Sequence, residues 1–358
     1  MSGKIISLVS LGLAIVGLGA AWGPEPLASG SNPAPSHHSS NGFRNVYLEP
    51  DGWVWNFWRW RFGLAPREKP ALLAEDVPEY RPRAVAPDLN RVHHPDPQTI
   101  QVTWIGHSTF LLQVAGLNIL TDPIFSQRAS PLGLVGPKRR VPPGLSLEEL
   151  PPVHATVISH NHYDHLDRRT VVRLGHSVQF FVPLGLASWF HRNGLFRVQE
   201  LDWWQTASFG AVRLHCVPAQ HFSMRTLFDR NRTLWCGWVL ETPAGRIYFT
   251  GDTGYCPHFK EIGNRLGPMR LSLIHIGGYQ PRWFMRPMHA NPEEAVRIHQ
   301  DVGSRHSIGM HWGTFKLTEE PLGEPPLYLQ EALKQAKIPE TQFVVLQIGE
   351  TRVFAGEP

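Results

Sequence analysis

The alternation of apolar and polar residues after position 100 predicts a series of short β-strands. Runs rich in β-branched and aromatic residues occupy residues 100–105, 109–114 and 117–120, and Gly106 and Gly116 separate them. The same pattern predicts strands over residues 155–159, 212–218, 234–241, 246–250, 271–276 and 343–348. A helix is expected to begin after Asn291, because Pro292 follows this residue and acidic residues continue the next turn. Strands mixed with helices in one unit, residues 99–358, favour an α/β sandwich.

An apolar run near the N-terminus, residues 5–22, carries no charged side chain and follows Lys4. Such a run, with small residues behind it, is typical of a secretory signal or a membrane anchor. Residues 1–22 are therefore expected to associate the protein with a membrane, and a buried N-terminal helix is the alternative. Residues 23–42 are rich in Pro, Ser, Gly and His, which predicts a flexible linker with solvated His37 and His38.

Residues 43–98 are expected to form an N-terminal extension that packs on the main domain. Within it, residues 53–62 contain four tryptophans, two phenylalanines and two arginines. Aromatic rings beside Arg suit the headgroup region of a lipid surface. The same rings could instead pack on the main domain, and the sequence leaves both interpretations open. The rest of the extension, residues 64–98, is rich in Pro and Arg.

The balance of charges excludes one class of partner. Lys and Arg number 34 against 30 for Asp and Glu, and this excess is too small and too scattered for a nucleic-acid-binding surface. The three cysteines, Cys216, Cys236 and Cys256, form no C-x-x-C pair. They predict neither a cysteine zinc site nor a disulfide framework, and each is expected to be a buried apolar residue.

A dense group of polar side chains directly follows the predicted strand at residues 155–159. Within residues 160–167 lie His160, His162 and His165, together with Asp164 and Asp167. So many imidazoles and carboxylates are costly to hold together unless a cation organises them. Both groups are usual ligands of zinc and similar metals. A metal site is therefore favoured over the alternative, a hydrogen-bonded turn of polar residues.

Further candidate ligands lie where other predicted strands end. His221 closes the strand at residues 212–218, Asp252 follows the strand at residues 246–250, and His311 follows the apolar residues 307–309. Ligand sites in sheet proteins cluster at strand ends. Together with the group at residues 160–165, these residues predict one site with two metal ions.

The motifs identify a family resemblance. In the order of its histidines and aspartates the chain resembles the metallo-β-lactamase superfamily, which implies an α/β fold of the αββα sandwich type. Longer strings resemble the branch of N-acyl-phosphatidylethanolamine-hydrolysing phospholipases D, and the resemblance covers about residues 42–355. These strings lie at residues 104–107, 120–125, 136–139, 159–167, 218–221, 251–255 and 311–314.

The resemblance implies a role for each candidate residue. One zinc ion would be held by His160, His162 and His221, and the other by Asp164, His165 and His311. Asp252 would bridge the two ions. The resemblance also implies substrate contacts by Tyr163 and His289, with His289 counted beside Asp164 and Asp252 among the catalytic residues. His289 precedes the predicted helix at Asn291, whose N-terminus could receive a phosphate.

The implied reaction is a phospholipase D cleavage of N-acyl-phosphatidylethanolamine to N-acylethanolamine and phosphatidic acid. Two divalent ions would deprotonate a water molecule, and the resulting hydroxide would attack phosphorus. The expected partners are the phospholipid and a membrane surface, without nucleic acid, and a homodimer is left open. A lactone or another phosphodiester is the nearest alternative substrate. A membrane-tethered binding protein with structural metals is the alternative of another class, but seven ligands exceed the four of a usual structural zinc site.

Overall fold

The computed structural model describes residues 35–49, 52–65, 68 and 84–355. The predicted membrane segment, residues 1–22, and residues 23–34 of the predicted linker lie outside the described residues. Among the helices of the described part, none is long and apolar enough to cross a membrane.

The structure of residues 35–42 differs from the prediction made for them. Instead of a flexible linker, they form a turn and part of a two-stranded antiparallel hairpin, β1 (His38–Ser39) and β2 (Gly42–Phe43). His37 is buried rather than solvated, because its ring stacks on Trp203 with ring centroids 4.2 Å apart. The composition of this segment resembles that of a linker, but its histidines find partners in the main domain.

The first sheet has seven strands in the order β16-β3-β4-β5-β6-β7-β8. Neighbours are antiparallel from β16 to β5 and parallel from β5 to β8. Its strands are β3 (Ile100–Gly106), β4 (Thr109–Val114), β5 (Leu117–Thr121), β6 (Ala155–Val157), β7 (Gln179–Pro183), β8 (Val198–Leu201) and β16 (Thr351–Phe354).

The second sheet repeats this plan in the order β15-β14-β13-β12-β11-β10-β9. Neighbours are antiparallel from β9 to β12 and parallel from β12 to β15. Its strands are β9 (Thr206–Phe209), β10 (Val212–Val217), β11 (Gly237–Thr242), β12 (Gly245–Phe249), β13 (Leu271–His275), β14 (Ser307–Met310) and β15 (Phe343–Val344).

Helices accompany both sheets and complete an αββα sandwich. They are α1 (Trp53–Arg61), α2 (Leu89–His93), α3 (Arg168–Leu174), α4 (Ala187–Arg192), α5 (His258–Leu266), α6 (Arg282–Met285), α7 (Pro292–Asp301) and α8 (Glu324–Ala336). One large apolar cluster contains Trp104 and Leu112 of the first sheet and Trp238 and Ile274 of the second, all fully buried. A separate cluster packs α3 and α4 against β7. Burial of apolar faces thus holds the layers together.

The predicted elements agree with the structure where the apolar pattern is long. The helix after Asn291 is confirmed as α7, with Asn291 and Glu294 forming a reciprocal capping box. The expectation for the cysteines is confirmed, since all three are buried and free. The strand predicted at residues 343–348 is paired only over Phe343–Val344. The prediction misses β7, β8, β9 and β16, and the last three are four-residue strands at the edges of the sheets.

Candidate metal centre

The loops after β6 and β10 bring three histidines together. His162 Nδ1 lies 2.8 Å from His160 Nε2 and 3.3 Å from His221 Nε2. His160 and His221 are fully buried, and His162 is partly exposed. Three imidazole nitrogens that converge on one point form a typical donor set for a first-row metal.

A second group joins the same loop to the end of β14. His165 Nε2 and His311 Nε2 each lie 3.5 Å from Asp164 Oδ2. His107, in the turn between β3 and β4, lies 2.9 Å from the same oxygen through its Nε2 atom. These four residues could hold a metal ion.

Asp252, which follows β12, lies between the two groups. Its Oδ2 atom is 3.2 Å from His165 Nε2, 3.0 Å from His311 Nε2 and 3.9 Å from His221 Nε2. Its Oδ1 atom is 3.1 Å from His275 Nδ1, at the end of β13. The structure therefore brings all seven predicted ligands to one edge of the sandwich, with Asp252 adjacent to both groups.

The donor atoms of this centre fit bound cations. His165 Nε2 and His311 Nε2 are buried and lie 3.2 and 3.0 Å from the Asp252 carboxylate, but among the described residues neither atom has a contact with the angles of a hydrogen bond. Leaving such atoms unpartnered is costly unless they serve as ligands. His160, His162, Asp164, His165, His221, Asp252 and His311 would thus hold the two divalent ions that the family resemblance implies.

The electrostatics of the centre support the same fit. Burial lowers the pKa of His162 to about 4 and the pKa values of His160 and His221 well below the usual range, so these imidazoles are neutral and able to coordinate. Burial acts in the same direction on His311, but Asp252 and Asp164 together outweigh it and raise the pKa of His311 to about 9. The carboxylates thus attract positive charge, and a divalent ion would displace such protons.

Buried outer partners fix the orientation of the histidines. Asp122 accepts hydrogen bonds from the backbone N–H of Ser159 at 2.6 Å and pairs with His165 Nδ1 at 2.7 Å. His221 Nδ1 lies 2.9 Å from the carbonyl oxygen of Met288. Such partners select the ring tautomer and aim the other nitrogen at the metal. The sequence resembles the family at residues 120–125, but it carries no sign that Asp122 contacts His165.

The two predicted substrate-contacting residues have different surroundings. His289 Nδ1 lies 3.1 Å from His275 Nε2 and 4.0 Å from Asp252 Oδ2, so it adjoins the metal centre. Tyr163 donates a hydrogen bond to the carbonyl oxygen of Arg225 at 3.0 Å, and the Arg225 guanidinium covers its ring. Tyr163 is therefore held by protein contacts on one face and on its hydroxyl.

The N-terminus of α7 does not match the expectation for a phosphate site. The side chain of Asn291 accepts the N–H of Glu294, and the Glu294 carboxylate accepts the N–H of Asn291. The Arg282 guanidinium pairs with the Glu294 carboxylate at 2.8 Å. Because a carboxylate already occupies this helix end, an incoming phosphate would meet negative charge there.

Asn45, in the N-terminal segment (residues 35–49), supports the metal ligand His221. It is buried, donates a hydrogen bond to the His221 carbonyl at 2.8 Å, and accepts one from the His221 N–H at 3.2 Å. The adjacent Gln220 donates a hydrogen bond to the carbonyl oxygen of Leu48 at 2.6 Å. The N-terminal segment thus completes a wall of the metal centre.

Replacing Asn45 with Ala is expected to weaken metal binding at His160, His162 and His221 by about 10- to 100-fold, the effect of losing an outer partner. Competition with a chromophoric chelator measures this change. Asn90→Ala, on the exposed face of α2, is the matched control. Unchanged affinity in the Asn45 variant would contradict the role of Asn45 in holding His221.

Comparisons with known proteins agree with the fold described above. The model of a β-lactamase superfamily domain matches residues 117–312. N-acyl-phosphatidylethanolamine-hydrolyzing phospholipase D 1 of Caenorhabditis elegans is 43% identical over 263 residues, 69% of this chain and 74% of that protein. The mitochondrial enzyme of the same description from Saccharomyces cerevisiae is 38% identical, over 62% of this chain and 49% of that protein. A metallo hydrolase of Ignicoccus hospitalis superposes with a TM-score of 0.55 over 72% of this chain and all of its own, at 22% identity, which shows the fold alone.

Proposed function

The chain belongs to the metallo-β-lactamase superfamily and is a metal-dependent hydrolase, and from this premise we propose that it cleaves N-acyl-phosphatidylethanolamine to N-acylethanolamine and phosphatidic acid. The identity of 43% to the Caenorhabditis elegans phospholipase D is the observation that carries this proposal. We also propose that both ions are zinc, since five of the seven ligands are imidazoles.

Two bound divalent ions would lower the pKa of a water molecule and neutralise charge on the phosphoryl oxygens. The residues of the chain prepare that chemistry. Burial opposes the ionisation of Asp164 and Asp252, but the surrounding histidines, His165 foremost, together outweigh it and hold both pKa values well below the usual range. His289 contacts the substrate in its neutral form, because burial lowers its pKa well below the usual range.

The surface beside the metal centre suits a lipid substrate. Helix α1 turns Trp53, Phe57 and Trp60 inward, onto a cluster that contains Phe222 and Phe284. Phe222 contacts the metal ligand His162, with ring centroids 4.5 Å apart. The inward face of α1 therefore connects directly to the metal centre.

The opposite side of α1 is apolar and faces solvent. Val54 is 60% exposed and Trp55 65% exposed, and Phe62 and Leu64, beyond the helix end, are also exposed. We call Val54, Trp55, Phe62 and Leu64 the outer face of α1. Grouped exposed apolar side chains mark contact sites, and Trp is favoured at the headgroup level of a membrane. The outer face would dock on the lipid surface, and residues 1–22 would tether the protein there.

Purified enzyme is expected to release N-acylethanolamine from its N-acylated phospholipid, and addition of a chelator should abolish the reaction. Mass spectrometry of a panel of phospholipids and lactones measures this specificity. Rapid turnover of lactones with the lipid untouched would contradict the proposed substrate but not the assignment of the protein as a hydrolase. Metal binding without turnover of any substrate would instead favour the binding-protein alternative.

A further inference from the structure

Two neighbouring histidines of the N-terminal segment converge on one carboxylate, away from the metal centre described above. His37 Nε2 lies 2.7 Å from Asp202 Oδ1, and His38 Nε2 lies 2.8 Å from Asp202 Oδ2. His37 and Asp202 are buried, and His38 is partly exposed. Asp202 directly follows β8, so the contact joins the start of the described chain to the edge of the first sheet.

The spacing of these donor atoms resembles that in the metal centre. The two nitrogens and the carboxylate oxygen all lie within 4.8 Å of one another, as do those of His160, His162 and His221. Two imidazoles and a carboxylate are a usual donor set for zinc and its neighbours. The His38 side chain is 16% exposed, so solvent reaches the edge of this group.

The surroundings hold these side chains in place. The His37 ring stacks on Trp203, and the His38 ring meets the edge of Phe43 with centroids 5.1 Å apart. The Asp202 carboxylate also accepts the backbone N–H of Trp203 at 2.8 Å, which holds its orientation. Aromatic packing and this hydrogen bond prearrange the donors for a cation, because little freedom is lost on binding.

A further polar side chain beside Trp203 has unmet hydrogen-bonding capacity. His258 packs against the Trp203 ring with centroids 5.3 Å apart and is 4% exposed. Among the described residues, neither of its ring nitrogens has a hydrogen-bond partner, and the nearest carboxylate oxygen, of Glu261, is 3.5 Å from Nδ1. Buried nitrogens of this kind usually have a partner, and His258 adjoins the Trp203 ring on which His37 stacks.

We propose that His37, His38 and Asp202 form a third metal site, which takes a divalent ion of the zinc type and fastens the N-terminal segment to the main domain. The role of this ion is structural, because the site is built from the segment that carries Asn45. An ion here would hold that segment against the wall that contains His221. The site is independent of the proposed substrate.

Metal analysis of the full-length protein, saturated with zinc and then desalted, tests this site. His37→Gln and His38→Gln should each carry one ion fewer per chain than the unmodified protein. Gln retains an N–H donor for Asp202 but coordinates zinc poorly, so these variants separate a metal site from a hydrogen-bonded contact. His176→Gln, an exposed histidine elsewhere, is the matched control and should retain all ions.

A second pair of variants separates this site from the catalytic one. In Asp252→Asn, which disturbs the metal centre, the ion at His37 and His38 should remain and should disappear only when His38→Gln is added. Chelator should lower the melting temperature of Asp252→Asn by more than that of the double variant, because only the former still carries the ion at His37 and His38. A stoichiometry of two in the unmodified protein, or a third ion that survives both Gln substitutions, would overturn the site.

Discussion

The variant Asp252→Asn is expected to lose hydrolysis by about a thousandfold or more, the scale of removing a preorganised electrostatic partner. It should also bind both catalytic ions more weakly by at least about 10- to 100-fold, since even outer partners contribute that much. The reason is the position of the Asp252 carboxylate. Its Oδ2 atom lies within 3.2 Å of His165 Nε2 and His311 Nε2, and 3.9 Å from His221 Nε2. Asn keeps the shape but removes the negative charge that both ions need.

Two further variants serve as comparisons for Asp252→Asn. His311→Ala should empty mainly the ion held with Asp164 and His165, because His311 does not belong to the group of His160, His162 and His221. Asp96→Asn removes an exposed carboxylate and should change neither metal content nor rate. Two ions bound to Asp252→Asn with unmodified affinity would show that Asp252 is not shared between them.

The metal centre was predictable because its ligands follow a local rule. His221, Asp252 and His311 each stand where an apolar strand ends, and strand ends of one sandwich meet at one edge. His275 obeys the same rule at the end of β13, but a single histidine inside an apolar run gave no further signal. The pairing of Asp122 with His165 spans 43 residues and depends on tertiary packing.

The N-terminal segment could not be predicted in the same way. Its Pro-, Ser- and His-rich composition is that of a linker, and only its contacts with residues far along the chain give it structure. Asn45 meets His221 across 176 residues, and His37 meets Asp202 across 165. Such contacts leave no periodic pattern in the sequence, because each one joins single residues rather than whole faces of helices or strands.

Helix α1 resolves the two open interpretations of its tryptophans. Trp53, Phe57 and Trp60 recur at spacings of four and three residues and share one helix face, which packs inward. Val54 and Trp55 lie on the other face and are exposed. Packing therefore explains the inward rings, and lipid contact is proposed only for the outer face. The helical spacing of these residues already implied one inward and one exposed face, although the many aromatic residues made the two faces hard to distinguish.

The outer face of α1 should control access to bilayer lipid without affecting the chemistry. The combined change Trp55→Ala, Phe62→Ala and Leu64→Ala is expected to weaken vesicle binding by tenfold or more, since each large apolar side chain contributes about 1.5–3 kcal/mol when it leaves water. The rate on bilayer substrate should fall in parallel. Protein that lacks residues 1–34 is the suitable background, because it removes the predicted membrane segment and keeps the contacts of His37 and Asn45.

The inward residue Trp60 supplies the contrast that identifies lipid docking. Its indole N–H donates to Glu319 at 2.9 Å, and its ring lies 5.5 Å from that of Phe284. Trp60→Ala should therefore lower the melting temperature and reduce hydrolysis of bilayer lipid and of a short-chain, water-soluble analogue alike. The outer-face variant should instead keep its melting temperature and its rate on the soluble analogue, since the metal ligands are untouched. Equal losses on both substrates in the outer-face variant would mean that these side chains stabilise the fold and do not dock on lipid.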